Sequence, residues 1–280
     1  MKRFLMVLVL ALGFLPVCKS QLPVMPKALS KYTVIDTAKY VITYNVSIVN
    51  NPEEPEKQVK DVVILQIGDN SSKSYSNLLY QADSTAAALL KKGAKSIPLF
   101  QDVVPPVIVY KNYPNGVNTV VYRTFLSGPI FKYKEVIPKI NWNLLPDKKT
   151  ILGYTCQKAT AFFRGRNYEA WFTPQIPLKE GPYKFDGLPG LILQIMDTQK
   201  HYIFDCVGIE KVKREEKIVF WNWMTQETSR EKLNSLIKRF HEQPASVAES
   251  LGIKISFRDN SGNDKNKKSV SYPYNPIELE

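Results

Sequence analysis

"GPYKFDGLPGLILQI", residues 181–195, sets three glycines and two prolines in and ahead of an aliphatic run. Three readings compete: a ligand-cradling loop, a membrane-seeking patch, or a turn that feeds a buried strand. A Walker-type phosphate loop needs Gly-Lys-Ser/Thr ahead of a helix, and here strand-forming residues follow instead. The turn reading fits the residue chemistry. In Leu188-Pro189-Gly190-Leu191, Pro189 presets φ at the second position of a type II turn, and Gly190 supplies the positive φ of the third. Gly187 lets the backbone approach a neighbouring element closely. Leu191, Leu193 and Ile195 then point to one face of a strand, with Ile192, Gln194 and Met196 on the other. The stretch is a corner that sets the register of a buried strand.

Working outward, "TILGYTCQKATAFF", "NYEAWFT", "LILQIMD" and "HYIFDCVGIEK" read as strands joined by short connections. Parallel pairs need long crossovers, so this succession predicts an antiparallel meander. Arg164-Gly165-Arg166 reads as a hairpin turn, with Gly165 free to take positive φ. Upstream, Tyr40, Ile42, Tyr44, Val46 and Ile48 alternate with Val41, Thr43, Asn45, Ser47 and Val49, the period of a half-buried strand. "NNPEEPEK" breaks that strand, and "DVVILQIG" follows as a continuous apolar run. Asp83 is the expected N-cap of an Ala-rich helix ending at Lys91, Lys92 and Gly93. Four prolines in "IPLFQDVVPPVIVYKNYPNG" exclude helix there, and "NTVVYRTFL" and "FKYKEVI" add two strands. A second helix opens on the capping box Thr228-Ser229-Arg230-Glu231. Its apolar stripe, Leu233, Leu236, Ile237 and Phe240, needs the sheet as partner. The predicted fold is a β-dominated α+β protein: a curved antiparallel sheet, a half-barrel-like meander, with one or two packed helices. No internal repeat is present.

The chain's 280 residues open with Lys2, Arg3 and the apolar stretch Phe4 to Val17, followed by Cys18-Lys19-Ser20. This is the anatomy of a secretory signal peptide over residues 1–20, with Gln21 as the mature start. Lipidation at Cys18 is disfavoured by the bulky Val17 before it. No other segment is apolar over the length a membrane-spanning helix requires. Hydrophobic content of 44% permits an ordinary core. The charge of +12 falls to +9 once Lys2, Arg3 and Lys19 leave with the signal. Basic residues are scattered apart from "DKNKK" and "KVKREEK", so a solvated basic surface is the plain reading. Export separates the protein from nucleic acid. Residues 258–270 are polar and turn-forming, and predict a mobile segment.

Gly187-Leu188-Pro189-Gly190-Leu191-Ile192 spells the hexapeptide of the GLPGLI family of exported Gram-negative proteins. The surrounding "GYTCQKATAFFRGRNYEAWFTPQIPLKEGPYKFDGLPGLIL", the segment "IGDNSSKSYS" and the ending "YNPIELE" resemble the same family over most of residues 21–280. The resemblance implies a single domain of unestablished activity located in the periplasm, at the outer membrane or outside the cell. It carries no catalytic residues over to this chain.

No G-x-S-x-G elbow, H-E-x-x-H or Cys-His signature occurs, and His201 and His241 lack partners at metal-ligand spacing. No metal, cofactor or catalytic residue is therefore expected. At the end of the second helix, His241 suits the helix dipole as a cation. Cys156 and Cys206 are a candidate disulfide in an oxidising compartment, with two buried thiols as the alternative. Arg164 and Arg166 form a clamp for an anion or pair with Glu169 and Asp186 across the corner; pairing is the preferred reading. Trp171, Tyr183 and Phe185 line a groove or pack in the core. The functional expectation is an exported, non-enzymatic cell-envelope protein that binds or carries an apolar or lipid-like ligand. The alternative is an accessory partner of an outer-membrane protein machine, and a hydrolase ranks third.

Overall fold

A computed structural model describes residues 24–97, 104–125, 128–252 and 271–280. The signal segment 1–20 with Cys18, residues 98–103 of the proline-rich stretch and the polar segment 258–270 lie outside the described residues. In chain order the elements are β1 (Tyr32–Thr37), β2 (Tyr40–Val49), β3 (Gln58–Ile67), β4 (Ser72–Ser76), α1 (Asn77–Lys91), β5 (Val107–Lys111), β6 (Val117–Arg123) and β7 (Ile130–Val136). There follow β8 (Asn143–Ile151), β9 (Tyr154–Phe163), β10 (Arg166–Thr173), β11 (Leu191–Asp197), β12 (Tyr202–Lys211), β13 (Lys217–Trp221), β14 (Thr225–Glu227), α2 (Arg230–Glu242) and α3 (Pro244–Ser250).

Twelve strands form one sheet in the order β14-β7-β6-β5-β4-β3-β2-β12-β11-β10-β9-β8, and β1 pairs with β13 separately. The fold is β-dominated α+β, as the alternating patterns predict. Two antiparallel meanders, β2 to β7 and β8 to β12, meet where β2 pairs with β12 from Tyr40↔Lys211 to Ile48↔Tyr202. The sheet is mixed rather than wholly antiparallel, because β14 runs parallel to β7. It does not close into a barrel: β14 and β8 are its two ends.

Ile42, Tyr44, Val46 and Ile48 of β2 enter the main core with Leu65, Phe172, Phe185, Leu191, Ile192, Leu193 and Ile195. Tyr44 is fully buried, and its hydroxyl donates to the carbonyl of Ile192 at 2.7 Å, so the phenol brings no unsatisfied group inside. The stripe of α2 lies on β5, β6 and β7, where Leu233, Leu236 and Ile237 cover Val109, Val120, Phe131 and Tyr133.

Two helix starts differ from expectation. The first helix begins at Asn77, capped by Ser76, whose side chain accepts from Leu79 N. Asp83 is not a cap: it is buried in mid-helix, where both its oxygens accept from Arg123, at 2.7 and 3.0 Å. A nonlocal partner made it an interior residue, which local pattern could not reveal. The cap of α2 is Ser229, accepting from Lys232 N, one residue later than the Thr228 capping box.

Candidate functional site

The opening stretch is a corner, but its glycines exchange roles. Gly187 takes the positive φ of +86°, and Gly190 does not. Gly190 is needed for space: an added Cβ would lie 2.1 Å from the carbonyl oxygen of Thr173. After it, Leu191, Ile192, Leu193 and Ile195 are fully buried, so the aliphatic run enters the interior. Before it, residues 179–187 close on themselves through Gly187 N to Lys179 O and are held to β11 by Ile192 N to Glu180 O. The same loop is tied to the other meander. Lys111 of β5 donates to Gly181 O at 2.8 Å and pairs with Glu180, and Tyr183 N donates to Ser74 Oγ of β4. The loop thus spans the seam between the two halves of the sheet.

At the loop's tip, Tyr183 sits at φ +54°, a strained conformation for a bulky side chain. Its hydroxyl donates to Glu278 Oε1 at 2.8 Å. The next residue, Lys184, is fully buried and reaches Glu135 and Glu278, each at 2.6 Å, and Tyr133 OH at 2.9 Å. Arg164 pairs with Glu135 at 2.9 Å, and Arg230 lies 3.4 Å from Glu278. Burial alone would raise the Glu278 carboxyl, but Lys184, with further help from Tyr183 and Arg164, holds it below the usual carboxylate range. Burial likewise works against the Lys184 charge, and Glu278, Tyr133 and Glu135 reverse it so that its pKa is raised. Lys184 and Glu278 thus each favour the other's charged form within a buried charge lattice.

Beside the lattice lies a cavity of about 130 Å³. Tyr122, Tyr133, Tyr183, Tyr202 and Tyr274 line it together with Asn50, Asn234, Asn275, His241 and Glu278. A second cavity of about 80 Å³ shares Pro105, Val107, Tyr183, Tyr202 and Ile277 with it and is lined further by residues of β2, β3, β4 and β5. The C-terminal residues 273–278 form one wall of the larger cavity. His241 faces the wall: burial lowers its pKa, and the hydrogen bond from Nδ1 to the carbonyl of Pro273 opposes that. His241 stands in the last turn of α2, as its place in the sequence predicts.

The expected site residues are only partly brought together. Tyr183 lines the cavity, and Arg164 stands in the charge lattice. Arg166 is buried; it pairs with Asp197 at 3.0 Å and binds the C-terminal segment. Neither arginine pairs with Glu169 or Asp186. Glu169 instead holds Lys158 at 2.7 Å and accepts from Trp171 Nε1, so Trp171 belongs to a different cluster. Phe185 is core, in edge contact with Tyr168, Phe163 and Phe204. Burial pushes the Asp186 carboxyl up to about 6, with Lys111 opposing and Glu180 assisting. Cys156 and Cys206 are buried free thiols, on β9 and β12 with β10 and β11 between them in the sheet, the second of the two readings given for them. Residues that pattern reasoning missed are Lys184, Glu135, Arg230, Tyr202, Asn275 and Glu278. The density of Tyr, Pro and Asn in "YPYNP" was the one local signal for the last wall.

Residues 130–235 match the family model described as N-glycanase peptide, N-terminal domain. That span runs from β7 into α2 and contains the whole loop of 179–187. No curated protein matches the chain. Among solved structures, PNGF-II in its P21 crystal form is 16% identical with a TM-score of 0.47, over 74% of this chain and 34% of that one. In its C2 form the values are 16%, 0.48, 72% and 33%. An uncharacterized conserved protein from Thermus thermophilus is 9% identical with a TM-score of 0.33, over 69% of this chain and 91% of that one. This chain spans about a third of the length of PNGF-II.

The family match overturns the expectation of a non-enzymatic carrier of an apolar or lipid-like ligand, because it sets 130–235 beside a domain of an N-glycanase. No helix among the described residues is long and apolar enough to cross a membrane.

Proposed function

We propose that the chain is exported and serves in the handling of N-glycan-bearing material, with the tyrosine-lined cavity as the place that receives a sugar ring. One observation carries the reading. Five tyrosines surround a small space whose polar lining is amide, imidazole and carboxylate. Flat aromatic faces suit the C–H faces of a pyranose, and amide and carboxylate groups suit its hydroxyls. The matched N-glycanase domain supports a glycan over other small polar ligands, since its span includes Tyr133 and Tyr183. The leader over residues 1–20 supports export, and the hexapeptide supports placing the chain in the GLPGLI family.

Calorimetric titration of the chain lacking residues 1–20 with N,N′-diacetylchitobiose and with a complete free N-glycan tests the proposal. Saturable binding is expected, weakened about tenfold by Tyr122→Ala, or ~1.4 kcal/mol. A folded protein that takes up neither sugar at millimolar concentration overturns it.

A further inference from the structure

The C-terminal segment 272–280 lies against β2, β10 and β12 without joining any strand. Its carbonyls are met by side chains. His241 donates to Pro273 O, Tyr202 OH to Asn275 O, Arg166 to Pro276 O through Nε and Nη2, and Tyr168 OH to Ile277 O. Pro273 and Pro276 have no backbone N–H, so extended chain with free carbonyls is the form this sequence favours. The Asn275 carboxamide is read at both ends: Nδ2 donates to Val49 O and Oδ1 accepts from Arg166 Nη2, each at 2.6 Å. Glu278 enters the charge lattice between Lys184, Tyr183 and Arg230. At the hairpin, Arg164 and Gly165 turn with φ of +50° and +82°, and an added Cβ at Gly165 would lie 2.7 Å from Leu279 Cβ. The turn is cut to the width of the segment.

These are the marks of a peptide-recognition groove: side-chain donors for main-chain carbonyls, a pocket for one carboxamide, and a cationic receptor for one carboxylate. Without an occupant, buried Arg166 would keep Asp197 and buried Lys184 would keep Glu135, but Arg166 would lose its bonds to Asn275 and Pro276, and Lys184 would lose Glu278. Losing hydrogen-bond partners of buried charged groups is costly, so the groove favours an occupant. We infer that this groove binds extended, proline-containing acidic peptides of the pattern Asn-Pro-aliphatic-Glu, and that the chain's own C-terminal segment fills it in cis. The inference stands without the saccharide reading. It predicts that a peptide supplied in trans competes with the tail, and that weakening the tail admits the peptide.

The probe is a fluorescein-labelled YPYNPIELE peptide, matching residues 272–280, followed by anisotropy against the chain lacking residues 1–20. The tethered tail competes at an effective concentration on the order of millimolar, so the unaltered protein binds the probe weakly. Glu278→Lys sets a positive charge beside Lys184 and Arg230 and is expected to tighten probe binding at least ~10-fold. Ile277→Ala, which keeps every charge, is the second variant and is expected to act in the same direction. A control peptide with Lys in place of its first Glu is expected not to bind. Two results overturn the inference: no saturable binding to either variant when circular dichroism shows both folded, or equal binding of the control peptide.

Discussion

Lys73 lies on β4, almost wholly buried, over the rings of Tyr75, Tyr110 and Trp221 at 4.8, 5.6 and 5.1 Å. Among the described residues no carboxylate pairs with it. Desolvation brings its pKa from 10.5 down to about 7. The sign of the pH effect follows. Between about pH 7 and 10.5 the unfolded chain holds this proton and the folded chain does not, so this group makes stability rise with pH there. Below about 7 both states hold the proton, and the folded state bears the full cost. At ~1.36 kcal/mol per pH unit, the gap from 10.5 to about 7 is worth roughly 4–5 kcal/mol. Lys73→Met removes that cost and forfeits three ring contacts worth about 0.5–1 kcal/mol each. The variant is expected to be more stable by about 1–3 kcal/mol at pH 6, with the advantage vanishing toward pH 10.5. Equilibrium unfolding in urea at pH 6, 8 and 10 measures this directly. A variant less stable than the parent at pH 6, or a difference that does not change with pH, refutes the reasoning.

Three further outcomes are expected. Gly190→Ala collides with the Thr173 backbone and is expected to cost at least ~3 kcal/mol, against only about 1–2 kcal/mol for Gly187→Ala at positive φ; thermal melts rank the two, and the reverse order contradicts the corner described above. Asp83→Ala takes the carboxylate from buried Arg123 and is expected to cost about 3–5 kcal/mol, part of it recovered when Asp83→Leu is combined with Arg123→Met, which still leaves Lys27 N and Met25 O without their partners; no recovery at all in a denaturant titration counts against the buried charge as the source of the loss. Burial raises the Cys156 thiol and pushes Cys206 up to about 12, so a thiol reagent applied to residues 21–280 without reductant is expected to find both thiols in denaturant and neither in the folded protein. A count of zero in denaturant indicates a bridge.

Strand identity was legible because it is local. The alternation of Tyr40 to Val49 and the run Leu191 to Asp197 place those residues in strands whatever their partners. The apolar stripe of α2 and its contact with the sheet were legible for the same reason. Helix starts were less so: a cap is one hydrogen bond chosen among near-equal neighbours, as Ser229 over Thr228 shows, and Asp83 was drawn into the helix interior by its nonlocal partner Arg123.

By itself the sequence determined a β-dominated α+β fold, a corner at Gly187 to Gly190, and burial of the aliphatic residues after it. Tertiary structure alone decided which groups meet. Lys184 and Glu278 are 94 residues apart, and Arg166 and Pro276 are 110 apart. No local periodicity encodes such separations. Side-chain alternation tells which face a residue takes, whereas the identity of its neighbour depends on strand order, and here β2 pairs with β12 across most of the chain. The arginine partners, the free thiols and the peptide-filled groove all follow from that one nonlocal pairing and from the tail laid across it.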